Sequence, residues 1–113
     1  MKPIILCDEG LGAPFKSEKF IKTNLLVLDY IVKAECRLNN KQLNHEWAIW
    51  NTRFTDISGN QIWLSGCNCG YRGSGPTMLG CIFEYLNWKI NTEIIFINEE
   101  FIITRKQESK ESE

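Results

Sequence analysis

The run Gly70-Tyr71-Arg72-Gly73-Ser74-Gly75-Pro76-Thr77 gathers the residue types that hold anions. Its three glycines strip side chains from a loop, so that backbone N–H groups can turn toward a ligand. Pro76 suits a first helical position, because its φ is preset and its missing N–H would have gone unpaired there. A helix start carries free N–H groups and a partial positive charge, and Arg72 adds a guanidinium whose fork matches phosphate or carboxylate oxygens. Ser74 and Thr77 supply hydroxyls that serve either a ligand or the helix cap. Tyr71 supplies a ring that either stacks on a ligand or fills the core beneath the loop. The whole run also fits a plain strand-to-helix turn.

Neither familiar phosphate loop is present. A P-loop needs Lys-Ser or Lys-Thr after its last glycine, where this chain has Pro76-Thr77. The dinucleotide fingerprint needs Gly-x-Gly-x-x-Gly, and Gly70-x-x-Gly73-x-Gly75 reverses that spacing. ATP hydrolysis and hydride transfer are therefore not expected. Cys67-Asn68-Cys69 lacks the spacing of a zinc knuckle or a thioredoxin-type site, and His45 is the single histidine, so no metal site is expected. A Cys–His pair would need His45 beside a nucleophile, which its position between Asn44 and Glu46 does not provide. Trp47, Trp50, Trp63 and Trp88 are four large aromatics in a short chain. Alternation places Trp50 with Phe54 on one sheet face and Trp47 with Ile49 on the other. Such a sheet buries one face under a second subunit, or leaves Trp47 as a stacking platform.

The elements that position these residues follow from periodicity. Residues 24–38 alternate Leu26, Leu28, Tyr30, Val32, Ala34, Cys36 and Leu38, which predicts a long strand with one buried face. Residues 46–55 and 61–65 predict two more strands, joined through Ser58-Gly59-Asn60 as a hairpin. Residues 8–23 read as a loop with a short helical turn over 17–21. Residues 76–88 read as the main helix, with Leu79, Ile82, Phe83 and Leu86 on one face and Gly80 allowing close approach to the sheet. Residues 93–97 and 101–104 read as a closing hairpin, residues 1–7 as a first strand, and Arg53 and Arg105 as solvated charges. The expected fold is α+β: an antiparallel sheet of about five or six strands with one main helix packed on one face. Residues 1–105 form a single domain, followed by a disordered charged tail over 106–113.

Composition sets outer limits. The 113 residues suit one domain, and 43% hydrophobic with 24% charged is ordinary for a soluble globular chain. A net charge of −1 gives no general attraction to nucleic acid polymers or anionic membranes. No apolar run is long enough to span a bilayer, and the first residues are too short for a leader. Five cysteines, an odd number without a secretion signal, point to free thiols in a reducing cytoplasm.

Residues 66–82 resemble the signature of a family of small uncharacterised proteins of bacteria and their phages. That signature is similar to Gly-Tyr-Gly-Gly-Ser-Gly-Pro, then two variable residues and a helix opening with Leu and small residues. Gly70, Tyr71, Gly73, Ser74, Gly75, Pro76, Leu79 and Gly80 fit it; Arg72 replaces a glycine, and Cys69 stands where an aromatic is common. The resemblance implies a loop–helix unit and a phage or bacterial setting, and carries no activity.

The residues and this setting together lead to a non-catalytic binder that sequesters an anionic, nucleotide-derived signalling molecule. A cyclic nucleotide or ADP-ribose derivative is the expected class, and the expected role is a phage counter-defence sponge in the host cytoplasm. Tyr71, Arg72, Gly73, Ser74, Gly75, Thr77 and Trp47 are the expected ligand contacts, with no catalytic residue, cofactor or metal, in a homo-oligomer. Two alternatives stay open: a protein–protein inhibitor of a host defence enzyme, and a small nucleotide-cleaving enzyme using Arg72 with a cysteine or His45.

Overall fold

A computed structural model describes residues 2–38 and 49–107. Strand β1 (Ile5–Cys7) leads into helix α1 (Pro14–Asn24) and a 3-10 turn (Leu25–Val27). Strands β2 (Ile31–Arg37), β3 (Thr52–Asp56) and β4 (Gln61–Leu64) follow, then helices α2 (Ser74–Tyr85) and α3 (Glu93–Ile97) and strand β5 (Glu100–Thr104). The five strands form one open sheet in the order β1-β4-β3-β2-β5. The fold is α+β.

Three pairings are antiparallel, but β1 lies parallel to β4, with Ile5 beside Gln61 and Cys7 beside Trp63. The sheet is therefore mixed rather than antiparallel throughout. A parallel pair needs a long crossover, and α1, β2 and β3 all lie between its two strands in the chain. Two helices of similar length, not one, cover the core face.

That core is built where the periodicity indicated for α2: Leu79, Ile82 and Phe83 are buried against Phe54, Ile62 and Leu64 of the sheet and Ile21 of α1. Phe83 makes edge-to-face contacts with Phe54 (5.5 Å) and Trp88 (5.1 Å). The Ser58-Gly59-Asn60 turn also forms as read. Asp56 organises it, accepting from the Ser58 and Asn60 N–H groups at 3.0 and 2.7 Å, while Gly59 takes φ +91°.

Several local readings are corrected. Residues 24–38 are not one strand: α1 ends at Asn24, the 3-10 turn follows, and β2 begins only at Ile31. Leu26, placed by alternation in the core, is 100% exposed. Pro14 starts the helix early, and Ile21 anchors it in the core, so the helical register overrides an accidental alternation. Residues 93–97 form α3 instead of a strand, and β5 pairs with β2 rather than with them. Ile94, Ile95, Phe96 and Ile97, four apolar residues in a row, have no period to separate helix from strand. Strand β3 begins at Thr52 rather than residue 46, and Glu46, Trp47 and Ala48 lie outside the described residues. Helix α2 spans 74–85, not 76–88. The tail from residue 108 onward also lies outside the described residues.

The outer sheet face carries a charged and aromatic row in place of solvated charges. Arg53 donates to both oxygens of Glu35, across the β2–β3 register, at 2.9 and 3.1 Å. Its guanidinium lies over Trp63 at 5.4 Å, and Trp50 meets Trp63 edge-on at 6.1 Å, on the face opposite Phe54. Arg105 instead closes the end of α2, donating to the carbonyls of Asn87 (3.2 Å) and Leu86 (3.4 Å). Among the described residues no helix is long and apolar enough to cross a membrane.

Candidate functional site

The chain segments that leave β1 and β4 are tied to each other by Asp8. Its Oδ1 accepts from Gly10 N–H (2.9 Å) and Trp50 Nε1–H (3.1 Å), and its Oδ2 from Ser17 Oγ–H (2.5 Å) and Ser65 N–H (2.9 Å). Ser17 Oγ in turn accepts from Gly66 N–H at 2.8 Å. Gly66 approaches the Ala13–Pro14 peptide so closely that any Cβ would overlap its backbone atoms. This network fixes the start of α1 against the chain that runs from β4 to the glycine loop. The sequence signal was Asp8-Glu9-Gly10 after a strand, an Asp whose side chain can bond the backbone two residues on.

The next segment passes through the core. Cys67 and Cys69 are buried with Cys36, and Thr52 Oγ1 donates to the Cys67 carbonyl at 2.8 Å. All five cysteines are free thiols. Burial pushes the Cys36 thiol well up, and neighbouring Cys69 pushes it further. Burial likewise raises Cys67, with the carboxylates of Asp8 and Glu18 adding to it. Cys7 is raised too, by partial burial and then by Asp8. A thiol nucleophile acts as thiolate, so these three are poorly suited to attack at neutral pH. Among the described residues no cluster of histidine, cysteine and carboxylate side chains could hold a metal.

The glycine loop then docks on α3. Gly70, at φ +93°, donates its N–H to the Ile95 carbonyl at 2.8 Å. Tyr71 does not enter the core: it is 42% exposed, and its Oη donates to Asn68 Oδ1 at 3.1 Å. Its ring folds over Gly73, where a Cβ would overlap it, and a Cβ at Gly75 would overlap the Asn68 carboxamide. Gly73 is the N-cap of α2 and has no side chain with which to cap it. Thr77 N–H bonds the Gly73 carbonyl at 3.0 Å, whereas the N–H groups of Ser74 and Gly75 find no acceptor among the described residues. Pro76 is the third helical residue rather than the first, still within the turn where a missing N–H removes no helix bond. Gly80 faces α3 instead of the sheet, with room for a methyl group 3.9 Å from Ile95 and Thr92.

Arg72 is exposed but not free to swing. Its Nη2 donates to both oxygens of Glu93, at 2.6 and 2.8 Å, and its guanidinium lies over the Phe96 ring at 4.8 Å. Nε–H and Nη1–H have no acceptor among the described residues. Helix α3 thus holds the cation beside the α2 N-terminus and also sets a competing carboxylate there. Sequence reading missed Glu93 and Phe96 because it placed them on a strand. Tyr71, Arg72, Gly73, Ser74, Gly75 and Thr77 lie together at the start of α2, while Trp47 and His45 lie outside the described residues.

Searches of protein-family models, curated proteins and solved structures find no match to this chain.

Proposed function

We propose that the protein is a non-catalytic binder that sequesters an anionic, nucleotide-derived molecule at the start of α2. One observation carries this reading: among the described residues, a helix whose N-cap is a glycine leaves the N–H of the exposed Ser74 unpaired, beside an exposed arginine whose Nε and Nη1 are also unpaired. Phosphate oxygens satisfy such donors, and the helix dipole favours their charge. The exposed Ser74 and Thr77 hydroxyls add donors, and the half-exposed Tyr71 ring offers a face for a base. The phage setting, the host-cytoplasm location and a homo-oligomeric state belong to the same proposal. Among the described residues the outer strands β1 and β5 have no strand on their outer edges, and a second copy could extend them.

Calorimetry with cyclic dinucleotides, cyclic trinucleotides and ADP-ribose isomers tests it. Arg72→Ala weakens the best-bound member by about 1.5–3 kcal/mol, the range for a hydrogen bond to a charged group. Unchanged affinity removes the site from the loop. A second reading, a protein that docks on a partner enzyme, is favoured by the fully exposed Leu26 and the exposed Val27 of the 3-10 turn. Co-purification of a host enzyme, lost in Leu26→Ser, would select that reading.

A further inference from the structure

A groove of about 310 Å³ runs along α1, away from the glycine loop, and the sequence reading assigned it nothing. Lys16, Lys19 and Phe20, three and four residues apart, share one helix face that lines it, together with Phe15, Leu11 and Ser65. Leu11 and Phe15 are 61% and 64% exposed. Among the described residues neither Lys16 nor Lys19 has an ion-pair partner. Lys22 on the same helix, by contrast, pairs with Glu18 at 3.2 Å and sits over the Tyr85 ring. Ser65 Oγ accepts from Gly12 N–H at 3.1 Å, which leaves its own O–H to donate.

We infer that this groove is a second binding site, and that it takes a small aryl carboxylate. The apolar side chains hold the ring, and the two ammonium groups and the Ser65 hydroxyl donate to the carboxylate. Size fits a compact ligand: a cavity of about 150 Å³ holds one benzene ring, so this groove has room for two fused rings. Asp8 and Glu9 also line the groove and bring its formal charge to zero, so only the two unpartnered ammonium groups favour a carboxylate, and a polyphosphate gains little here. The site is thereby chemically distinct from the phosphate-type donors at α2.

The test uses 2-naphthoate, with 2-naphthylmethylammonium as the charge-reversed control, followed by calorimetry and by backbone amide shifts in NMR. Naphthoate binds and shifts amides of residues 11–24 and 65 but not of residues 70–77. The double variant Lys16→Gln/Lys19→Gln and the single variant Phe15→Ala each weaken it by at least about fivefold. Arg72→Ala leaves it unchanged, so failure here and failure of the α2 site are separately visible. All four positions are exposed, so the variants should fold, and an unchanged melting temperature checks this. No binding at roughly millimolar naphthoate, equal binding of the ammonium control, or full affinity in the lysine double variant overturns the inference.

Discussion

Replacing Glu93 with Gln separates an anion site at α2 from a surface salt bridge that serves folding alone. Glu93 holds the Arg72 Nη2 with both oxygens, yet the side chains are 50% and 66% exposed. Exposed pairs of this kind contribute about 0–1 kcal/mol to stability, so Glu93→Gln should lower the folding free energy by less than about 1 kcal/mol. Its effect on a ligand has the opposite sign. A phosphate seated on Arg72 would have the Glu93 carboxylate about 5 Å away, and in water two like charges at that distance repel by about 0.8 kcal/mol. Release of Nη2 adds a donor, so ADP-ribose or a cyclic dinucleotide should bind about three- to tenfold more tightly to Glu93→Gln. Arg72→Ala should weaken the same ligand by about ten- to a hundredfold. Titration calorimetry at low and moderate salt reads both, and the Glu93→Gln gain should shrink as salt screens the repulsion. If both variants weaken binding, the pair positions something else and the electrostatic argument is wrong.

Three further outcomes follow from the packing. Ser17→Ala removes a buried hydroxyl that donates to Asp8 and accepts from Gly66, and should cost about 2–5 kcal/mol in urea unfolding, from one charge-assisted bond and one orphaned N–H; a loss under about 1 kcal/mol would mean that water replaces it. Burial would raise the Asp56 carboxyl, but N–H donors from Asp29, Asn60 and Ser58 outweigh it and hold the group below its usual range. The folded state therefore binds fewer protons than the unfolded one, whose carboxyl titrates near about 3.9, so this stabilisation is complete above that pH and is lost as pH falls through the folded value. Unfolding at pH 7 and pH 3 should show a flatter pH slope in Asp56→Asn than in wild type. At alkaline pH an aromatic disulfide reagent should label Cys81, and more slowly Cys7, in the native protein, and Cys36, Cys67 and Cys69 only after unfolding; rapid labelling of all five would contradict the buried cluster.

Much of the fold was legible where one period dominated. Leu79, Ile82 and Phe83 announced the buried face of α2, and Ser58-Gly59-Asn60 announced the hairpin. Errors came where two periods competed. Leu26 and Leu28 continue the alternation of β2 backward, but Pro14 and the buried Ile21 belong to a helix that runs to Asn24. Residues 94–97 offered only β-branched and aromatic composition, and their helix is set by what they pack on, with Ile95 in the core and its carbonyl taken by Gly70. At the candidate site, the loop and the α2 start were visible as glycines before a helix. Glu93 and Phe96, which govern Arg72, were not, because they lie 21 and 24 residues away and meet it only through the tertiary fold. The Asp8–Ser17–Gly66 network is equally non-local, its last two members lying 49 positions apart in the chain.

Mass spectrometry tests the proposal that the protein holds an anionic nucleotide-derived ligand without turning it over. Purified wild type and Arg72→Ala are each incubated with ADP-ribose isomers and cyclic dinucleotides, freed of unbound ligand, and denatured. Wild type should release one of these compounds chemically intact, and Arg72→Ala should release much less of it. Release of a cleaved product, or equal retention by the two proteins, would contradict the account.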